Sequence, residues 1–276
     1  MSDKKRNAAI FEDTRSLCKT NSILNMIISY SNTFQTIYTK TTPQQLLTPR
    51  FSEPAKVTVS KKRSFEAAEA YRGKAVCVLN FASAINPGGG VKWGASGHEE
   101  NLCRCSTLYE NICTKNSWAS FYGPHQKANN PLGNDDIIYT PDVMVFKTDT
   151  DIPVIREQDE WFTCSVITCA APDLRPDAKT GRRVRISEER LKELQCRRIN
   201  NILSVAAGNE NDVMILGAFG CGVFRNPPEV VAAAMKEAIE LYKYCFHTIE
   251  IAAYCEPRDE KNFEVFNRIL GCENNT

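Results

Sequence analysis

From residue 75 to residue 253 the chain repeats one pattern, and that pattern restricts the fold more than any other feature. Short apolar-rich runs stand at Ala75–Leu79, Val143–Phe146, Ser165–Cys169, Val213–Leu216 and Ile249–Ala253. Runs of this length and composition suit strands covered on both faces. Between them lie segments of helical period: Ser64–Tyr71, His98–Thr114, Ser187–Ala207, Pro228–Tyr244 and Asp259–Leu270. Ser64 stands where a helix cap is expected, and Ser187 and Gly208 punctuate the two ends of the long helix. Strands alternating with helices predict an α/β fold of three layers, α/β/α, around a central mixed, mostly parallel sheet. Ligands of such sheets bind in the crevice beyond the carboxyl ends of the strands.

The first 60 residues break the alternation. Ile10, Phe11, Thr14, Leu17 and Cys18 recur at helical spacing, and Thr33–Pro54 is rich in Thr, Pro, Gln and Ser. We therefore expect a helical and irregular accessory region over residues 1–60 and an α/β domain over residues 61–276. With 42% hydrophobic and 24% charged residues in 276, the chain can build its core without disulfides or a structural metal.

Charge and cysteine usage exclude several functions. Lys and Arg number 34 and Asp and Glu 33, for a net charge of +1. Duplex nucleic-acid binders carry a clear basic excess, so direct sequence-specific nucleic-acid binding is not expected. The basic stretch Lys179–Arg185 reads as a solvated loop. The 12 cysteines contain no Cys-x-x-Cys, and the 3 histidines do not pair with them at finger spacing, so no metal site or cofactor is expected. Several cysteines sit inside apolar runs, where a free thiol behaves as a small hydrophobe. No apolar stretch follows the basic N-terminus as in a secretory signal, and no run reaches the roughly 18 apolar residues of a membrane span. The expectation is an intracellular monomer, cytoplasmic or nuclear.

Two strand exits carry glycine-rich loops. The first reads NFASAINPGGGVKWGASGHEENLCRCSTLY from Asn80 to Tyr109. Three consecutive glycines cost backbone entropy and add no packing. They suit a place where a ligand approaches the main chain, or where successive N–H groups converge on an anion. The next helix then offers its N-terminus to negative charge. Glu99 and Glu100 fall in that first turn. Acidic residues there also stabilise a helix dipole with no further role. Beside a phosphate-cradling loop, however, two carboxylates suit work on the substrate. Neighbouring helical residues point about 100° apart, which predicts unequal roles for the pair.

The second loop, GAFGCGVFRNPPEVV, follows Val213–Leu216. Its glycines satisfy a tight strand-to-helix turn, and the dinucleotide fingerprint of an early strand with a later acidic residue is not met.

Together these stretches resemble the microbial-type poly(ADP-ribose) glycohydrolases, a macrodomain-fold family. Its signature is three glycines and, after a short spacer, Gln-Glu-Glu. In this chain seven residues separate Gly90 from His98, and His98 stands in place of the glutamine. Either side chain can hydrogen-bond. YTPDVMVFKTD at Tyr139–Asp149 and VITCAAPDLRP at Val166–Pro176 resemble the family as well.

The resemblance implies a hydrolase of the ribose–ribose glycosidic bond in ADP-ribose polymer or ADP-ribosylated protein. It makes Glu100 the general acid and base, and Glu99 the partner of the ribose hydroxyls. Asn86, Gly88, Gly89, Gly90 and His98 from the first loop are then substrate-binding residues. The backbone of Gly217, Gly220, Cys221, Gly222 and Val223 meets the diphosphate, and Phe224 packs on the distal ribose. Phe81 and Ser83 are candidates for the adenine pocket. Two other readings use the same loops: an ADP-ribose-binding macrodomain without turnover, and a hydrolase of mono-ADP-ribosylated acceptors.

Overall fold

The computed structural model describes residues 2–39, 48–177, 180–182, 184–255 and 259–271. In chain order the elements are α1 (Asp3–Thr20), α2 (Ser22–Phe34), β1 (Thr36–Tyr38), β2 (Lys56–Ser60), α3 (Ser64–Glu69), β3 (Val76–Phe81) and α4 (His98–Cys105). Short turns α5 (Leu108–Ile112), α6 (Lys115–Ser117) and α7 (Gly123–Ala128) lead to β4 (Ile137–Val145) and β5 (Phe162–Cys169). The long α8 (Glu188–Gly208), β6 (Val213–Leu216), α9 (Pro228–Tyr242), β7 (Thr248–Ala252) and α10 (Lys261–Leu270) complete the fold.

Among the described residues, seven strands form one sheet in the order β1-β4-β5-β3-β6-β7-β2. The pairs β5–β3, β3–β6, β6–β7 and β7–β2 are parallel, while β4 runs antiparallel to β1 and β5. The sheet is mixed and mostly parallel, as the alternation predicts. Side-chain period assigns its faces. Cys77 and Leu79 of β3, with Met214 and Leu216 of β6, pack against Ile199 and Leu203 of α8 and Val231 and Met235 of α9. Val76 and Val78, with Val213 and Ile215, face Phe65 of α3, Leu102 and Cys103 of α4, and Phe11 of α1. This is the expected α/β/α sandwich.

The first 60 residues depart from expectation. Their helical part forms as α1 and α2, but the irregular part also supplies β1 and β2, the two edge strands of the sheet. The division at residue 60 thus falls at the end of an edge strand rather than between two folding units. Both strands are short and at best half-buried, so no apolar run marks them. The expected helix His98–Thr114 is also broken. Thr107 N–H donates to the Met144 carbonyl, and Met144 N–H donates to Thr107 Oγ1, which diverts the chain onto β4. Ser64 is the first residue of α3 rather than its cap, because Arg63 holds that place and Asp149 Oδ2 accepts from Phe65 N–H at 2.8 Å. In the basic stretch, Ala178, Lys179 and Arg183 lie outside the described residues; Thr180, Gly181 and Arg182 form an exposed turn. No described helix is long and apolar enough to cross a membrane.

Candidate active site

Strands β3 and β6 are parallel neighbours, so the loops that leave their carboxyl ends lie side by side. The contact between them is direct. A side chain on Gly217 would stand 2.6 Å from Phe81 Cζ and 2.8 Å from the Ala252 carbonyl. The two loops read from sequence therefore form one site.

The first loop is organised by the two glutamates. Glu99 is 2% exposed. Its Oε2 accepts from Ser83 N–H at 2.7 Å, and its Oε1 accepts from Gly88 N–H at 3.2 Å and Asn80 Nδ2 at 3.4 Å. Glu100 is half-buried, and its Oε1 accepts from Gly90 N–H at 2.9 Å. Gly89 N–H donates to the Asn86 carbonyl at 2.9 Å, and Asn86 N–H donates in turn to Ser83 Oγ at 3.1 Å. The Gly88 and Gly90 N–H groups thus hold the protein's own carboxylates, where the sequence suggested an anion from outside.

The glycines are required for a second reason. Gly88 and Gly89 have φ of +69° and +56°, in the left-handed region. A Cβ on Gly89 would stand 2.5 Å from Glu100 Oε1 and 3.3 Å from Glu99 Oε2. The two carboxylates leave the helix in different directions yet converge on this one glycine, because the loop wraps around the start of α4. Gly97, which precedes α4, likewise leaves room for Glu100 Oε2.

The environments of the two acids differ. Burial pushes the Glu99 carboxyl up to about 8; the Ser83 N–H works against this shift, and the neighbouring Glu100 adds to it. Both Glu99 oxygens are nevertheless occupied by protein donors. Glu100 Oε2 has no hydrogen-bond partner among the described residues. A free oxygen on a partly exposed carboxyl can exchange a proton with a bound substrate, and an oxygen held by backbone donors is poorly placed to do so.

His98 does not reach the glycine loop. Its ring stacks on Phe81 with centroids 3.8 Å apart. Nδ1 accepts from Phe81 N–H at 3.4 Å, and Nε2 lies 2.8 Å from Ser64 Oγ. Burial, with the positive charge of Arg63, pushes the imidazole down to about 3. Phe81, offered from sequence for the adenine pocket, is occupied by this stack and by an edge contact to Phe219. Ser83 spends its N–H on Glu99 and its hydroxyl on the Ile85 and Asn86 N–H groups.

The second loop has a different character. Gly220 has φ of +75°, and a side chain there would meet Ala171 Cβ at 2.5 Å and Asn226 Nδ2 at 2.7 Å. Asn226 ties the turn together. Its Nδ2 donates to the carbonyls of Pro172 and Gly220, and Gln195 Nε2 donates to its Oδ1. Among the described residues, the N–H groups of Gly220, Gly222, Val223 and Phe224 find no acceptor. Gly222 faces open space, and Val223 is 66% exposed. Successive unpaired N–H groups on a tight turn can form an anion-binding concavity. The Cys221 thiol is held protonated by burial. Phe224 is half-buried, and the Arg175 guanidinium lies 4.9 Å from its ring centroid. Arg175 was not apparent from sequence; only the fold brings it to Phe224. Among the described residues, no cluster of His, Cys, Asp or Glu is placed to hold a metal ion.

The chain resembles solved structures over nearly its whole length. The poly(ADP-ribose) glycohydrolase of Thermomonospora curvata is 24% identical and superposes with a TM-score of 0.83, covering 96% of this chain and 99% of that one. The same enzyme bound to the inhibitor ADP-HPD gives 0.77 at 24% identity, covering 95% and 98%. The Deinococcus radiodurans enzyme in complex with ADP-ribose is 28% identical, with a TM-score of 0.73 over 87% of this chain and 95% of that one. None of the curated proteins matches the sequence. The family model described as microbial-type PARG, catalytic domain, matches residues 8–148, about half of the chain. That segment holds the glycine loop, both glutamates and the helix that carries them, and on this match the chain belongs to the family of microbial-type PARG catalytic domains.

Proposed function

We propose that this chain binds an ADP-ribose unit of poly(ADP-ribose) and hydrolyses the ribose–ribose bond, with Glu100 as the group that moves the proton. The observation that carries this reading is the unequal treatment of the two carboxylates. Glu99 is buried with protein donors on both oxygens, while Glu100 is anchored by one oxygen to Gly90 N–H and keeps the other free.

The unpaired N–H groups of Gly220, Gly222, Val223 and Phe224 take the diphosphate, and Phe224 packs on the distal ribose. Gly217 and Cys221 shape the turn beneath them. Held this way, the reacting carbon is presented to Glu100, an orientation effect that replaces the search for a productive encounter. Cleavage of the acetal passes through an oxocarbenium-like state. Glu100, protonated, gives its proton to the departing ribose oxygen; as a carboxylate, it then takes a proton from the attacking water. Glu99 holds Gly88 and Ser83 in place. The remaining lone pair of its Oε2, toward Gly89, accepts a ribose hydroxyl. Asn86, Gly88, Gly89 and Gly90 shape the wall that keeps both acids on the substrate.

His98 acts one layer behind this wall, holding Phe81 against Gly217. Residues 61–276 carry the chemistry, with β1 and β2 closing the edges of the sheet. The protein is proposed to act as an intracellular monomer on ADP-ribose polymer, with ADP-ribosylated protein as the second substrate class.

The test incubates the wild-type protein and Glu100→Ala with automodified polymer and with mono-ADP-ribosylated protein. Loss of polymer with release of ADP-ribose, by the wild type alone, supports the reading. Release of the acceptor without polymer loss assigns the protein to mono-ADP-ribosyl hydrolysis. Retention of ligand without turnover makes it a reader.

A further inference from the structure

The N-terminal helix α1 meets the catalytic loop at three separate points. At its start, the Lys4 carbonyl lies so close to Gly94 that any side chain there would collide with it. Asn7, 4% exposed, donates from Nδ2 to the Gly94 carbonyl at 3.3 Å. In the middle, Phe11 packs edge-on against Tyr109 with centroids 4.8 Å apart, and the Tyr109 ring fills the space where Gly88 would carry a side chain, 2.9 Å from that Cβ. Farther along, Thr14 Oγ1 donates to the Arg104 carbonyl at 2.7 Å, and Arg104 Nη1 reaches back to the Ala95 carbonyl at 2.6 Å. Lys147, itself buried, fixes this end by donating to Thr14 Oγ1 at 2.8 Å and to Asp13 at 2.6 Å.

These contacts bracket Glu100. Ala95 is the residue a side chain on Gly90 would strike, at 2.9 Å, and Gly90 N–H is the donor that anchors Glu100 Oε1. Gly97, two residues beyond Ala95, borders Glu100 Oε2. Displacing the Gly94–Gly97 turn therefore moves both walls around the Glu100 carboxylate. The second loop is held differently, through Asn226, Gln195 and Pro172. The described hydrogen bonds from α1 to the rest of the chain end on Gly94, Arg104, Glu110 and Lys147 rather than on that loop.

We infer that α1 is a brace for catalysis: Asn7, Phe11 and Thr14 are positioning residues that set the Gly88–Gly97 loop, and through it Glu100, while leaving diphosphate binding alone. The inference rests on Glu100 as the proton-moving group. It gives residues 1–20 a part in the reaction although none of their side chains need touch substrate. A brace of this kind acts on turnover, because catalysis is sensitive to displacements too small to disturb binding.

The experiment compares full-length Asn7→Leu, Gly94→Ala and Glu100→Gln with wild type. Asn7→Leu keeps the branched outline of the side chain and removes its donor. Gly94→Ala places a methyl group against the Lys4 carbonyl at a backbone φ of +73°. Each protein is assayed for ADP-ribose release from polymer and for ADP-ribose affinity by calorimetry, with folding checked by circular dichroism. The inference predicts that kcat falls on the order of tenfold in Asn7→Leu and on the order of 100-fold in Gly94→Ala, with the ADP-ribose Kd within about threefold of wild type. If Gly94→Ala does not fold, Asn7→Leu carries the test alone. Wild-type kcat in a folded Asn7→Leu, with Glu100→Gln inactive, overturns the brace and leaves the assignment of Glu100 standing. Affinity lost in step with turnover also overturns it, because the helix would then support the whole domain rather than one loop. Normal turnover by Glu100→Gln overturns both.

Discussion

Gly89→Ala is the substitution in the first loop that brings a new methyl group against both glutamates. Two costs are separable. At φ of +56° an L-residue is strained by about 1 kcal/mol relative to glycine. In a domain of this size that strain lowers Tm by roughly 2–4 °C, a small effect. The second cost falls on catalysis. The new Cβ would stand 2.5 Å from Glu100 Oε1 and 3.1 Å from its Cδ. Ordinary contact requires about 3.5 Å, so the carboxylate must retreat by about 1 Å. A displacement of that size in a catalytic group costs on the order of 100-fold in rate. The diphosphate loop is untouched, but the new Cβ also stands 3.3 Å from Glu99 Oε2, where a ribose hydroxyl is proposed to bind, so ADP-ribose affinity should fall, by less than turnover does. The assay pairs steady-state release of ADP-ribose from polymer with calorimetric titration of ADP-ribose and a thermal melt. A stable Gly89→Ala protein with wild-type kcat would refute the claim that this glycine exists to seat Glu100.

The remaining expectations concern titration and the second loop. Glu99 is pushed up to about 8 when folded, against about 4.3 in an unfolded chain. Between those values the folded state keeps a proton that the unfolded state releases, so stability falls as pH rises through this window, by at most about 1.4 kcal/mol per pH unit. Urea melts should show that slope, and Glu99→Gln should flatten it; an unchanged slope would place the proton elsewhere. His98 has the opposite sign. It is pushed down to about 3 when folded, whereas an unfolded imidazole titrates near 6.5, so stability drops as pH falls below about 6.5. His98→Gln should remove this loss at moderate cost, because an amide can both accept from Phe81 N–H and donate to Ser64 Oγ. A full acid-side slope in His98→Gln would show that other groups carry it. Phe224→Ala should weaken ADP-ribose binding about tenfold, as expected when an aromatic contact to a ligand is lost; an unchanged Kd would remove Phe224 from the binding surface.

Much of the architecture is visible in the sequence because burial writes itself there. Strand β6 coincides with the apolar run Val213–Leu216, and α8, α9 and α10 begin within two residues of their expected starts. Strands β1 and β2 escape because partly exposed edge strands need no apolar run. The break in the helix after Cys105 escapes because it depends on hydrogen bonds between Thr107 and Met144, residues far apart in the chain. The site divides along the same line. Its residue types and spacing are legible, since three glycines and two glutamates are expensive to place together without cause. The acceptors of the glycine N–H groups are not, because the choice between a ligand and Glu99 or Glu100 is settled by where α4 folds back over the loop. The place of Arg104 is hidden from the sequence for a related reason. A charged residue is usually read as exposed, yet here it is 2% exposed and braces the Ala95 carbonyl from inside.

The central claim is that two adjacent glutamates have been given different tasks, with Glu100 moving the proton. The most direct measurement is single-turnover release of ADP-ribose from polymer by wild type, Glu99→Gln and Glu100→Gln, with ADP-ribose affinity taken on the same preparations. The account predicts that Glu100→Gln binds ADP-ribose like the wild type and releases none, whereas Glu99→Gln keeps a reduced but measurable rate. Release by Glu100→Gln at a rate comparable to wild type, or a Glu99→Gln protein that is dead while Glu100→Gln still turns over, would contradict it.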